Sequence, residues 1–318
     1  MTRSFVHQDP DFGELIRIVA REVGIGAALV EKDYWVTHCM WALHRTGLEI
    51  WFKGGTSLSK GFGLIHRFSE DLDLKIMPGS VSLPEVTNWK SSKKGRVAQR
   101  HAYYDALADA MAIPDVRVER DATRIDERAR GADYLGHYPS PRLGELPEAM
   151  SPFVRFEVGR ARVVPCVERP LTSFVHDYIE REGLLGDDDD NRPRSVRCVH
   201  PLVTLLEKLD AASKRFGRGY ASDTFVRHYE DAAQIIRAVN DLPELDRSSL
   251  ELAQEMVASK DIPALPNADD PAWLLEDEGR RGELEAAYQR IDPMFWGPRV
   301  ALDEARVEIR DWIGRLVR

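Results

Sequence analysis

Leu15, Ile16 and Val19 fall on one helical face between Asp11 and Ala20, and Gly24 and Gly26 end that run. From Ala27 to Leu43 the residues Val30, Tyr34, Trp35, Cys39 and Leu43 recur at helical spacing and predict a buried stripe. Leu48 to Phe52 is a short apolar strand running into Lys53-Gly54-Gly55-Thr56, and a short helix is expected through Leu58 and Phe62. Glu70 to Met77 then alternates, with Leu72, Leu74 and Ile76 on one face and Asp71 and Asp73 on the other. Arg96 to Ala112 reads as a helix closed by Pro114. Asp115 to Glu119, Phe153 to Val158 and Val163 to Val167 read as strands.

The run Gly186-Asp187-Asp188-Asp189-Asp190-Asn191-Arg192-Pro193 has nothing to bury and marks a boundary. Its four aspartates read as a solvated loop, because consecutive side chains cannot all aim at one ion. Beyond it the pattern turns helical. Pro201 opens a helix with the stripe Leu202, Leu205, Leu206, Leu209 and Ala212. Ser222 is expected to cap another, with the stripe Phe225, Tyr229, Ala232, Ile236 and Val239, and two or three more helices follow to Arg318. The expected architecture is an α/β first half, a mixed sheet flanked by helices, followed by a helical second half.

Composition narrows the class. Of 318 residues, 43% are hydrophobic and 31% charged, as in an ordinary globular chain. No apolar run is long enough for a membrane span, and the start lacks the pattern of a secretory signal. Cys39, Cys166 and Cys198 are far apart and odd in number, which predicts core thiols in a reducing, cytoplasmic setting rather than a disulfide framework.

The net charge of −9 is local. Between Asp241 and Trp296 stand 14 acids and 5 bases, and the remainder is balanced. Lys90 to Arg100 carries five bases and no acid, and Arg192 to Arg218 carries seven against Glu207 and Asp210. Such stretches can meet phosphates on an acidic protein, because screening confines distant charge to about 8–10 Å.

The densest chemistry lies in Lys53-Gly54-Gly55-Thr56-Ser57 and Arg67-Phe68-Ser69-Glu70-Asp71-Leu72-Asp73. Two glycines at a strand end let backbone N–H groups approach a phosphate. Asp71 and Asp73, alternate residues of one strand, share a face about 6.5–7 Å apart and can hold Mg²⁺ against nucleotide phosphates. Ser69 is expected on the same strand face, within reach of a phosphate oxygen. Gly61-Phe62-Gly63 does not complete a dinucleotide fingerprint, and no glycine-lysine-serine/threonine run makes a P-loop. Lys208 stands on an otherwise apolar helix, where it either snorkels to water or meets an anion, unless Glu207 and Asp210 hold it in an exposed charge network.

Gly54-Gly55 followed by Asp71-x-Asp73 resembles the nucleotidyltransferase superfamily of DNA polymerase β and the tRNA CCA-adding enzymes. More narrowly, the chain resembles the AbiEii toxin family, which includes the mycobacterial MenT toxins. That likeness rests on Glu31-Lys32-Asp33-Tyr34-Trp35, Gly54-Gly55-Thr56-Ser57-Leu58, Arg67-x-Ser69-x-Asp71-x-Asp73, Leu205-Leu206-Glu207-Lys208-Leu209 and Arg227-His228-Tyr229-Glu230-Asp231. It implies a nucleotidyltransferase domain over residues 1–192 and a helical domain over 193–318 that completes the active site. It implies catalytic Asp71, Asp73, Lys208 and Asp231, with Lys208 on the triphosphate and Asp231 orienting Lys208 or the incoming hydroxyl. Gly54, Gly55, Thr56, Ser57 and Ser69 would bind nucleotide, and Glu157 would be a third metal ligand where the superfamily often has Asp.

The larger biology the resemblance implies is a toxin that adds nucleotides to the acceptor end of tRNA and stops translation. Its partner would be a winged-helix antitoxin. Lys93, Lys94, Arg96 and Arg215 are the expected RNA contacts. Two alternatives remain at this point: transfer to a protein or small molecule, and a catalytically silent RNA- or partner-binding module.

Overall fold

The alternation around Asp71 is realised as the central strand of a seven-stranded mixed sheet. A computed structural model describes residues 5–69, 71–148, 150–184 and 189–316. The strands are β1 (Glu49–Lys53), β2 (Asp71–Met77), β3 (Arg117–Arg120), β4 (Ala132–His137), β5 (Val154–Val158), β6 (Cys166–Arg169) and β7 (Val196–Val199), in the order β3-β4-β5-β2-β1-β7-β6. β2 is antiparallel to β1 and parallel to β5, and β1 is parallel to β7. Leu72, Leu74 and Ile76 are buried as the period of two requires, while Asp71 and Asp73 remain half-buried on the opposite face.

The chain divides into two compact units. The first comprises residues 1–61, 69–163 and 168–198, and the second comprises 62–68, 164–167 and 199–318. Two short segments from before residue 199 thus belong to the second unit. In the first unit, helix α1 (Phe12–Val23) ends at Gly24 in the left-handed conformation, and α2 (Ala27–Arg45) follows it. The Glu31–Trp35 motif is buried in α2: Lys32 Nζ donates to the Ser151 carbonyl at 2.6 Å, and Asp33 Oδ1 lies 2.6 Å from Lys60 Nζ. Glu31 Oε2 accepts from Ser140 Oγ at 2.8 Å. These residues anchor α2 to its neighbours.

After β1 the chain forms one short turn, α3 (Gly54–Thr56), and continues as a π-type turn over Ser57–Gly61 rather than as the regular helix expected through Phe62. Helix α4 (Lys94–Ala110) takes in most of the basic stretch, and α5 (Phe174–Arg181) is capped by Ser173, whose hydroxyl accepts from the His176 backbone N–H. Neither α5, β4 nor β7 was marked by the hydrophobic pattern. The strand expected over Val163 to Val167 lies three residues later, as β6.

The second unit contains α6 (Pro201–Gly217), α7 (Arg227–Arg237), α8 (Ser249–Ala258), α9 (Pro271–Leu274), α10 (Glu278–Arg290) and α11 (Leu302–Leu316). Pro201 is at the start of α6, and the whole expected stripe from Leu202 to Ala212 is buried. Ser222 does not cap α7. It opens a separate one-turn helix, its buried hydroxyl has no hydrogen-bond partner among the described residues, and α7 starts only at Arg227. Cys39 and Cys198 are core thiols, whereas Cys166 is half-buried. Among the described residues, no helix is long and apolar enough to cross a membrane. Glu70, Asp187 and Asp188 lie outside the described residues. Asp190 of the aspartate run pairs with Arg192 and Arg194.

Candidate active site

In the first unit the glycine turn and the Asp-x-Asp strand, distant in sequence, are in contact. Gly54 has φ +76°, and a Cβ there would lie 2.9 Å from Asp73 Oδ2. Only a residue without a side chain lets the backbone pass so close to that carboxylate. Lys53, the cross-strand partner of Asp73, holds its ammonium 3.6 Å from Asp73 Oδ2. The turn is fixed from below. The Thr56 hydroxyl lies 2.9 and 2.7 Å from the carbonyl oxygens of Ser69 and Asp71, so it serves the backbone of the strand rather than an open phosphate site. Lys60 ties the end of the turn to Asp33, Thr37 and the Thr172 carbonyl.

Ser57 differs from Thr56: its hydroxyl is buried and has no hydrogen-bond partner among the described residues, and so remains available to a ligand or an ordered water. Ser69 lies before β2, not on it, and offers its carbonyl to Thr56.

On the other side of β2, Asp73 stands directly opposite Glu157 of β5, and Glu157 directly opposite Asp133 of β4. Three carboxylates thus cross the sheet in one row. Burial pushes Glu157 up to about 7, with Asp71, Asp73 and Asp133 adding to the rise and Arg124, 3.5 Å away, opposing it. Arg155, two residues before Glu157, donates to Asp121 at 2.7 Å and reaches within 3.8 Å of Asp71 and 3.7 Å of Asp133. Arg160 lies over the Trp89 ring. Burial acts to raise Asp121, but hydrogen bonds from Thr123 and Arg155 outweigh it and bring the carboxyl to about 2. Asp121, Asp133 and Arg124 escaped the sequence reading because Asp133 joins the site only through cross-strand register, and Asp121 and Arg124 through the segment that follows β3.

Among the described residues, no group of three or more His, Cys, Asp or Glu side chains forms a ready-made metal cage. The donor set on this face is therefore the Asp71–Asp73 pair with Glu157 beside it. Such a set fits Mg²⁺, which is usually held by one or two carboxylates, waters and substrate phosphates rather than by an all-protein cage.

The second unit contains a separate charged cluster. Asp231 is fully buried and accepts from Arg67 Nε at 2.8 Å, Arg67 Nη2 at 2.7 Å and Lys208 Nζ at 2.7 Å. Lys208 therefore neither snorkels nor joins an exposed network; Asp210 pairs instead with Lys214. Burial acts to raise the Asp231 carboxyl, but Arg67 and Lys208 hold it far below the ordinary carboxylate range. Burial lowers Lys208 despite the pull of Asp231, and Arg67 and Arg227 add to the lowering. Arg67 reaches the cluster because residues 62–68 belong to this unit, where its backbone bridges Phe295 and Phe68 N–H donates to the Met294 carbonyl at 2.7 Å.

The rest of the Arg227–Asp231 motif divides by role. Tyr229 donates to the Ala272 carbonyl at 2.7 Å, and Glu230 accepts from Tyr288, Arg299 and the Val300 N–H. Both are structural.

Of the expected RNA contacts, Lys93 and Lys94 are exposed at the start of α4, and Arg96 is half-buried with bonds to Thr87 and Gln99. Arg215, in the second unit, donates to the Thr224 carbonyl at 2.6 Å. Arg100, counted in the same basic stretch, is buried and spends its guanidinium on the carbonyls of Asn88, Ser91 and Arg128.

Comparison with curated proteins finds no match. A family model described as nucleotidyl transferase AbiEii toxin, Type IV TA system, matches residues 41–305. That span takes in the glycine turn, both aspartates of β2, and the Lys208–Asp231 cluster, and with it the chain belongs to the AbiEii family of nucleotidyltransferase toxins of toxin–antitoxin systems.

Proposed function

We propose that this toxin transfers a nucleoside monophosphate from an NTP to a hydroxyl of RNA, with the 3′ acceptor end of tRNA as the preferred site. The observation that carries the reading is the contact between Gly54 and Asp73, a phosphate-cradling turn against a metal-type carboxylate. In the reaction the acceptor oxygen bonds to the α-phosphorus. The bond from that phosphorus to the α–β bridging oxygen breaks, and pyrophosphate leaves with the electron pair. The hydroxyl proton passes to a carboxylate of the sheet face or to water.

Asp71 and Asp73 would hold Mg²⁺, with Glu157 as the neighbouring carboxylate. Bound Mg²⁺ supplies charge that offsets the phosphates and stabilises the departing pyrophosphate. The chain's own part is positional. The Gly54–Gly55 backbone and Ser57 receive the phosphates, Lys53 and Arg155 balance the aspartates, and Lys208 is proposed as a triphosphate contact whose ammonium is held by Asp231, itself fixed by Arg67. The exposed bases Lys93 and Lys94, with Arg96, support an RNA acceptor over a cationic small molecule. Membership in a toxin–antitoxin family implies an antitoxin partner, which we propose is of the winged-helix type.

Incubating the protein with total RNA and each labelled NTP, with and without a chelator, tests the reading. Label on a small RNA that disappears with the chelator is the expected result. Labelling of protein alone would move the acceptor to a polypeptide, and no labelling with any NTP would sink nucleotidyl transfer.

A further inference from the structure

An open cleft of about 550 Å³ lies on the sheet face of Asp73 and Glu157, and its lining also includes Asp133, Asp126, Arg124 and Arg130. The two arginines belong to residues 121–131, the connection between β3 and β4. This connection is pinned from beneath. Asp121 accepts from the Thr123 backbone N–H at 2.8 Å and from Arg155 at 2.7 Å. Asp126 accepts from the backbone N–H groups of Arg128 and Arg130 at 3.1 and 2.8 Å, and from Arg130 Nε at 2.9 Å. Arg100 of α4 holds the Arg128 carbonyl through Nε and Nη2, and Ala129 is buried with φ +46°. A residue with a side chain pays strain in that conformation, so the surrounding bonds fix the segment against its local preference. Arg124, Ile125, Glu127 and Arg128 are left exposed on it. A fixed backbone presenting cationic and apolar side chains to solvent is the build of a binding loop.

Strand register decides which reactant this side of the site serves. Lys53, Asp73, Glu157 and Asp133 stand opposite one another in turn on β1, β2, β5 and β4. The glycine turn follows Lys53 at one end of the row, and Arg124 meets Glu157 and Asp133 at the other. With neighbouring strands about 4.8 Å apart, the two ends are separated by roughly 14 Å. A triphosphate received by the turn leaves the far end to the acceptor. Arg124 touches the two carboxylates with one nitrogen, Nη1, at 3.4 and 3.5 Å, and over half of its side chain is exposed. Those contacts are long for charged groups, and a guanidinium has five N–H donors in a fork that matches a phosphate. Ile125 offers apolar surface to a base that a single-stranded end leaves unstacked. Arg100 also holds the carbonyls of Asn88 and Ser91, so one side chain ties this connection to the segment before the exposed Lys93 and Lys94.

We propose that this cleft seats the 3′ end of the acceptor RNA, with Arg124 bound to the phosphodiester that precedes the reacting hydroxyl. Arg128 contacts the backbone further back, towards the start of α4. The assignment rests on the nucleotidyl-transfer reading and names its acceptor subsite. A cleft of that volume takes the end of a single strand rather than a duplex, and the exposed guanidiniums of the segment favour a phosphate backbone over a cationic acceptor.

Fluorescence anisotropy of the full-length protein with a labelled single-stranded RNA of about eight nucleotides, in Mg²⁺ and without NTP, tests the inference over a range of salt. Both arginines are exposed, so the variants should keep native circular dichroism. Arg124→Gln should weaken binding about five- to tenfold and flatten the slope of log affinity against log salt by about 0.7, the share of one phosphate contact on a single strand. Adding Arg128→Gln should flatten it by about as much again, whereas Arg124→Lys, which keeps the charge, should retain most of the slope. NTP affinity, measured by calorimetry, should stay within a few-fold in every variant. Unchanged RNA affinity and slope in the double variant would overturn the inference and leave Arg124 as a counter-ion of Glu157 and Asp133. Unchanged RNA binding with lost NTP affinity would also overturn it and give the guanidinium to nucleotide phosphates. A protein that labels polypeptide and does not bind the RNA would overturn the RNA seat and leave nucleotidyl transfer standing. RNA binding that depends on Arg124 in a protein that labels no acceptor would support the seat and overturn the transfer reading instead.

Discussion

Gly54 and Asp73 approach so closely that a single methyl group on the glycine would stand 2.9 Å from the carboxylate oxygen and 3.0 Å from Asp73 Cβ. The backbone at Gly54 is also left-handed, which strains any L side chain. Gly54→Ala should therefore cost about 1–2 kcal/mol of stability and displace Asp73. Thermal unfolding should show a modest fall in Tm, while nucleotide transfer falls more than tenfold. Unchanged transfer would mean that the Asp73 carboxylate tolerates displacement.

Removing either aspartate of β2 should separate chemistry from folding. Both are half-buried and sit beside compensating charge, so Asp71→Ala and Asp73→Ala should keep native circular dichroism. Transfer should fall by at least the ~10²–10³-fold typical of losing one electrostatic stabiliser. Rates within a few-fold of the unsubstituted protein for both would remove the metal assignment.

The buried trio Arg67, Lys208 and Asp231 predicts an ordering of stabilities. Asp231→Ala strands two buried cations and should destabilise by about 3–5 kcal/mol in urea unfolding. Lys208→Met leaves the bidentate Arg67–Asp231 pair intact and should cost distinctly less, while NTP binding weakens. The reverse order would show that Lys208, not Arg67, neutralises Asp231.

Acid should unfold the first unit through two histidines. His38 sits between the Pro114 carbonyl (2.9 Å) and Asn191 (2.8 Å), and His176 between Ser173 (2.6 Å) and Asn191 (2.7 Å). Burial lowers both imidazoles from 6.5 to about 4. Below pH 6.5 the unfolded chain binds protons that the folded one refuses, so stability declines with falling pH until the folded values near 4 are passed. Tm measured from pH 7.5 to 4 should be flat at the upper end and drop through this window. His38→Gln or His176→Gln should make the drop shallower.

Electrostatic RNA binding should depend on the exposed start of α4. Reversing Lys93, Lys94 and Arg96 to Glu should weaken RNA binding and flatten its salt dependence, with NTP affinity almost unchanged. Arg100 is not part of this test, because its guanidinium holds three loop carbonyls and its loss would disturb the fold. An unaltered salt dependence would make the stretch a solvated surface and favour a non-RNA acceptor.

Local pattern alone determined a good deal. The period of two placed Leu72, Leu74 and Ile76 in the core and Asp71 and Asp73 on the opposite face, and the helical stripe of α6 emerged residue for residue. The glycine turn and the Asp-x-Asp strand were legible because each is a short-range signature. What the tertiary structure decided was which distant residues meet. The Asp73–Glu157–Asp133 row exists only through strand register; β4, whose buried face is Ala132, Tyr134 and Gly136, and the four-residue β7 leave little hydrophobic periodicity to detect. Arg67 serves Asp231 because residues 62–68 pack with the second unit, and no spacing in the chain announces that. Thr56 and Arg100 look like ligand contacts in sequence, yet the Thr56 hydroxyl and the Arg100 guanidinium are spent on the protein's own backbone. The physical reason is that buried donors and acceptors must find partners, and which partners lie within reach is set by the packed chain.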